Sequence, residues 1–190
     1  MIDGRRPRDC RHLAGVAALV LALLGAAGPA RAGAGDAPDI SVKAAFLYNF
    51  AKFAEWPALP TAAPILVCIV GDAGIAAAFA ETVRGQNIGG HTLATSQPLD
   101  STGWLGCHVL FFADRETRQF ASAKAGITSQ PVLTVSDGKG FALAGGVIEL
   151  FVEEGRMRFA INLDAAEQAG VHLSSRLLGL AKVVRSPRGH

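Results

Sequence analysis

The sequence predicts an α/β layer fold: a single domain whose mixed, mainly parallel sheet is flanked by helices and carries a late β-hairpin. Three observations lead there. Apolar runs of strand length, Ile65 to Val70, Cys107 to Ala113 and Val132 to Val135, alternate with stretches of helical spacing. The first two runs are apolar at nearly every position, as strands covered on both faces must be. Finally, Val147 to Val152 and Arg156 to Ile161 flank Glu153-Glu154-Gly155, the pattern of a hairpin that adds antiparallel strands at one side.

The elements follow in order. Residues 35–40 are Gly, Ala, Asp, Pro and Ile and read as a flexible lead-in. Ser41 is suited to cap a helix that runs to about Trp56 and is stopped by Pro57. Val42, Ala45, Phe46, Asn49, Phe50, Phe53 and Trp56 fall on one stripe of it, Leu47 and Tyr48 widen the stripe, and Lys43, Lys52 and Glu55 mark the wetter side. After the strand Ile65 to Val70 come the turn Gly71-Asp72 and a short helix, Ile75 to Val83. Gly85 to Gly90 is turn chemistry, and His91 to Thr95 suits a strand. Arg115 to Ala125 reads as a helix, and Ser136-Asp137-Gly138 ends the strand before it enters the glycine-rich approach to the hairpin. Helix signals resume after Asn162 and again from Ser174 or Ser175 through Val183, and residues 185–190 form a polar tail that is expected to fray.

The amino terminus carries an address. Arg5, Arg6, Arg8 and Arg11 precede the apolar run Leu13 to Ala27, and Ala30-Arg31-Ala32 and Ala32-Gly33-Ala34 follow. A basic region, a short apolar core and an Ala-x-Ala end make a secretory signal peptide over residues 1–34, cleaved near Ala32 or Ala34. The core is about 15 residues long, short of the roughly 20 that span a bilayer. Pro7-Arg8-Asp9 does not support the twin-arginine route, and the cleavage region lacks the cysteine of a lipid anchor. A periplasmic protein of residues 41–184, not inserted in the membrane after cleavage, is the expectation.

Removing the leader takes five of 18 basic and two of 16 acidic residues, which leaves 13 and 14 and a net charge of −1. That balance argues against nucleic acid as a partner. Cys10 leaves with the leader; Cys68 and Cys107 remain. In an oxidising compartment they can pair, or they can serve as two buried thiols.

No catalytic set emerges. The chain has no Gly-x-Ser-x-Gly elbow, and His91, His108 and His172 form no His-x-x-x-His pair, so neither a hydrolase nucleophile nor a metal site is expected. Cys107 and His108 are strand neighbours, whose side chains point to opposite faces. Asp137 lies near a strand end without a visible partner. The turn Gly71, Asp72, Gly74 stands where α/β folds bind phosphate, but its glycine pattern is incomplete; a tight turn with an acidic helix cap is the plainer reading. No cofactor is expected.

Five ordered blocks resemble the YfiR family: FLYNFAKFAEWP from Phe46 and ILVCIVGD from Ile65; Gly85 to Gly90 with GCHVLFFA from Gly106; PVLTVSD with Gly140-Phe141; and Gly145 to Ala181. The resemblance implies a periplasmic α/β protein without catalysis. It implies a homodimer and a disulfide between Cys68 and Cys107. It also implies a repressor that holds the periplasmic sensor domain of an inner-membrane, YfiN-like diguanylate cyclase inactive until an outer-membrane, YfiB-like lipoprotein sequesters it, with cyclic di-GMP as the output. Some members have a second, later cysteine pair, which this chain lacks. Candidate partner surfaces are the end of the aromatic helix at Trp56 and a last helix bearing Leu177, Leu178, Leu180 and Val183; Phe46, Phe50 and Phe53 suit the core. Arg158 and Asn162 belong to the last block, Arg158 as a candidate for an anion and Asn162 as a helix cap. A small-ligand receptor working with another membrane sensor, with Gly71, Asp72, Gly74 and Arg158 as its ligand groups, is the competing expectation.

Overall fold

A computed structural model describes residues 36–56, 59–127 and 130–186. The expected leader at 1–34 lies outside them, as do residues 187–190 of the expected tail. In chain order the elements are α1 (Asp36–Phe53), β1 (Ala54–Glu55), β2 (Ile65–Val70), α2 (Ala73–Thr82), β3 (Asn87–Ile88), β4 (His91–Ser96), β5 (Val109–Phe112), α3 (Thr117–Ile127) and β6 (Leu133–Ser136). They continue with β7 (Ile148–Glu153), β8 (Arg156–Asn162), α4 (Leu163–Gln168), β9 (His172–Leu173), α5 (Ser175–Leu178) and β10 (Lys182–Val184). Short 3₁₀ turns at Ser101–Trp104 and Asp114–Glu116 precede β5 and α3.

The main sheet has eight strands in the order β10-β8-β7-β6-β5-β2-β4-β3. Strands β4, β2, β5, β6 and β7 run parallel, β7 and β8 form the expected antiparallel hairpin, and β10 lies parallel to β8. Strand alternation divides the apolar side chains between two faces. Val67, Ile69, Val109, Phe111, Leu133, Ile148 and Leu150 belong to a core shared with Phe50 of α1 and Phe79 of α2. Cys68, Val70, Leu110 and Phe112 face the other way and pack with Phe120 of α3, Trp104 and Phe141. The mixed, mainly parallel layer fold is thus the one the residues predict.

Four expectations need correction. Helix α1 begins at Asp36, so residues 36–40 are helical and Ser41 lies inside the helix; Pro38 fits this because a first-turn N–H has no helical acceptor to lose. The buried line is Ala44, Leu47, Phe50, Ala51 and Ala54, while Val42, Ala45 and Asn49 are exposed, so the apolar stripe is rotated from the expected one. The helix also stops at Phe53, because Ala54 and Glu55 pair antiparallel with Leu173 and His172 and the Phe53 carbonyl accepts from the Ser174 N–H at 2.9 Å. Finally, the last helix is a single turn, α5. Gly179 follows it, and Val183 and Val184 pair with Ile161 and Asn162 of β8 instead of continuing the helix. Glycine is a poor helix former and β-branched valine suits a strand, so local preference agrees with the break.

The tail is tied down at its start. Arg185 forms an ion pair with Asp164 at 2.8 Å, and the Ser186 N–H donates to the same carboxylate at 3.0 Å. At the hairpin, Glu154 and Gly155 both have positive φ, 52° and 71°, as a tight two-residue turn requires, and Glu153 and Glu154 are solvent-exposed.

Candidate functional site

In an open α/β sheet, ligands bind at the carboxyl ends of the parallel strands where the strand order reverses. Here that point lies between β2 and β5, since the chain leaves β2 toward β4 and returns to β5 on the other side. Gly71 follows β2 with φ of +87°, a conformation that costs glycine little. Its surroundings leave no opening: a Cβ at Gly71 would lie 2.3 Å from the Glu116 side chain, and the Arg115 guanidinium donates to the Gly71 carbonyl. Asp72 caps α2 by accepting from the Ile75 N–H at 2.9 Å. A Cβ at Gly74 would lie 3.2 Å from both Asp72 and Ile40. The amide that would face an anion is therefore capped by a carboxylate from the chain itself, with the Glu116 carboxylate beside it.

Arg158 is not part of this turn. It is exposed on β8 opposite Phe151, and β7, β6 and β5 separate β8 from β2. At roughly 4.8 Å per strand step, the two places are about 19 Å apart across the sheet.

The cluster that does form at the strand ends was not legible as one in the sequence. Lys43 of α1 contacts Asp39 at 2.6 Å and Asp137, after β6, at 2.8 Å. Burial pushes the lysine pKa down, but hydrogen bonds and charge from Asp137 and Asp39 outweigh it and hold the group above its ordinary value. Asp137 thus has the partner that its sequence context hid, and Lys43 is a half-buried tie between α1 and the sheet instead of a wet-face residue. Among the described residues, no group of three His, Cys, Asp or Glu side chains is placed to hold a metal ion.

At the opposite end of the strands, Cys68 of β2 and Cys107, just before β5, form a disulfide with both residues buried. Cys107 packs on the α3 side. Its neighbour His108 turns to the other face, where Trp56 meets it edge-on at 5.7 Å, so the expected opposition of the two side chains holds. His108 Nδ1 accepts from the Leu66 N–H at 3.0 Å, which requires that nitrogen to be unprotonated. Burial lowers the His108 pKa, and the nearby charge of His91 lowers it further.

The sign of the pH effect follows. Below the ordinary histidine value the unfolded chain takes up a proton that the folded chain resists, so stability is full above about pH 6.5 and declines as the pH falls through the depressed value. Urea midpoints measured from pH 7.5 to 5 are expected to fall, and His108→Asn, which keeps an acceptor for Leu66, is expected to flatten that slope. An unchanged slope in the variant would assign the pH dependence to other groups.

The candidate partner residues separate sharply. Trp56 is 8% exposed and Leu177 is 3% exposed, so both serve the core, whereas Leu180 at 68% and Val183 at 48% are open to solvent. Leu178 is half-buried against the core. Leu180 and Val183 flank or occupy β10, which among the described residues is one of the two edge strands of the sheet. Asn162 is the cap that its position suggested: fully buried, it accepts from the Ala165 N–H at 3.1 Å and starts α4.

No helix among the described residues is long and apolar enough to cross a membrane. A comparison with curated proteins gives no match. A family model described as YfiR/HmsC-like matches residues 40–182, from within α1 to the first residue of β10. That family is periplasmic and regulatory, and it is tied to cyclic di-GMP signalling. Because the match covers nearly every element of the sheet and both cores, the chain belongs to the YfiR/HmsC-like family.

Proposed function

We propose that this protein is a periplasmic repressor that binds the sensor domain of an inner-membrane, YfiN-like diguanylate cyclase and so restrains cyclic di-GMP production. The family match across residues 40–182 is the observation that carries this reading. Repression by binding needs only a difference in affinity for two states of the partner. About 10⁴-fold, or roughly 5.5 kcal/mol, moves such a switch from nearly off to nearly on. Sequestration by an outer-membrane, YfiB-like lipoprotein and assembly as a homodimer belong to the same reading.

The surface that suits a partner is the β10 edge. An edge strand offers unpaired backbone groups, and here exposed Leu180 and Val183 stand beside it. Leu180→Asp is expected to weaken capture of the cyclase's periplasmic domain at least tenfold by calorimetry while leaving the melting temperature within about 2 °C. Equal affinity for variant and wild type would move the surface elsewhere. The function itself is tested by deletion: cyclic di-GMP should rise in cells that lack the protein, and an unchanged level would refute repression.

A further inference from the structure

At the amino ends of β5 and β6, away from the Gly71 turn and the β10 edge, a cavity of about 330 Å³ opens between the 3₁₀ turn Ser101–Trp104 and α3. That volume falls in the range of small-molecule sites. Trp104, Leu110, Ile127 and Val132 make its wall apolar, Ser122 and Gln130 add polar atoms, and among the described residues no charged side chain lines it. Trp104 is 5% exposed and is held edge-on to Phe112 with ring centroids 5.1 Å apart. Its indole N–H is buried without a hydrogen-bond partner among the described residues. Buried donors are almost always paired, so a lone one beside a roomy apolar cavity points to an acceptor that comes from outside the chain.

We propose that this cavity binds a small uncharged molecule with a compact apolar body and one hydrogen-bond acceptor, which receives the Trp104 indole N–H. The apolar lining selects against ions, and the unpaired indole donor selects for a carbonyl or ether oxygen over a bare hydrocarbon. The 3₁₀ turn that carries Trp104 is held to the sheet through Cys107, whose N–H donates to the Trp104 carbonyl at 3.1 Å and whose sulfur is bonded to Cys68. The site therefore has a fixed wall. It stands independently of the repressor reading.

The test follows the two indole N–H signals of the purified, disulfide-bonded protein by nitrogen-edited NMR, with acetophenone as the probe and ethylbenzene as its acceptor-free counterpart. Trp104→Phe assigns the signals. Acetophenone is expected to shift the Trp104 signal saturably, to leave Trp56 unmoved and to bind about tenfold more tightly than ethylbenzene. Ala123→Leu, which narrows the cavity from α3, should abolish the shift with Trp56 unchanged. Should that variant fail to fold, Ala125→Phe at the exposed wall takes its place. A Trp104 signal that does not saturate, equal binding of the two probes, or a shift that survives cavity filling would overturn the proposal.

Discussion

Replacing Cys68 with alanine is expected to lower the melting temperature of the oxidised protein by about 8–16 °C. The bridge joins residues separated by 39 positions. In the chain-entropy account, closing a loop of that length in the unfolded chain stabilises the fold by about 4 kcal/mol. At roughly 2–4 °C per kcal/mol for a protein of this size, the stated range follows. Packing alone predicts a different pattern. Cys68 is fully buried in the middle of the sheet, and losing its sulfur removes only a small apolar volume. The two causes separate on reduction: with excess thiol reductant, wild type should melt close to the Cys68→Ala variant. If reduced wild type keeps its full melting temperature while the variant loses it, the loss comes from the cavity and the cross-link contributes little.

Asn162→Leu is expected to cost about 3 kcal/mol, read as a fall in urea midpoint with an unchanged denaturant slope. Its side chain is fully buried and joins three parts of the chain. Its oxygen caps α4, and its amide donates to the Ala142 carbonyl at 2.7 Å and to the Ser186 hydroxyl at 2.9 Å. A leucine of similar size leaves the Ala165 N–H buried without a partner, which costs about 1–3 kcal/mol, and takes from the Ala142 carbonyl one of its two donors, leaving the Gly145 N–H at 3.1 Å. Asn162→Asp sharpens the test. It keeps the cap but turns a carboxylate oxygen toward the Ala142 carbonyl, so its folded pKa should rise and its stability deficit should shrink as the pH falls. That slope runs opposite to the one expected of wild type through His108. A variant as stable as wild type at pH 7 would show that the Ala142 contact contributes nothing.

These two residues also show how far sequence alone reached. The strand Ile65–Val70 emerges with its expected bounds because an unbroken apolar run between turn residues has few other uses. Asn162 was legible as a cap because it stands between an apolar strand and a helical segment, which is local information. Its bonds to Ala142 and Ser186 were not legible, since nothing in the spacing brings those segments to it. The same limit hid the Lys43–Asp137 tie, whose partners lie on α1 and beyond β6. It also misplaced the last helix, where Leu177 to Ala181 looks helical until the edge of the sheet claims Val183 and Val184. Trp104 carried the one overlooked signal: a large aromatic residue set among Ser101, Thr102, Gly103 and Gly106, where a plain surface loop would have no use for it.

The antiparallel contact of Ala54 with Leu173 sets an order of events in folding. It fastens the end of α1 to a segment far along the chain, so this pairing waits for the strands between, although α1 can already pack on α2. Until β8 arrives, Phe50, fully hidden once folding is complete, lacks the Phe159 ring that meets it at 5.2 Å and lies open to chaperones and proteases. Non-local closure of this kind slows folding. Shortening the chain before Val171 should therefore yield a species that is degraded early, well before any question of what it binds.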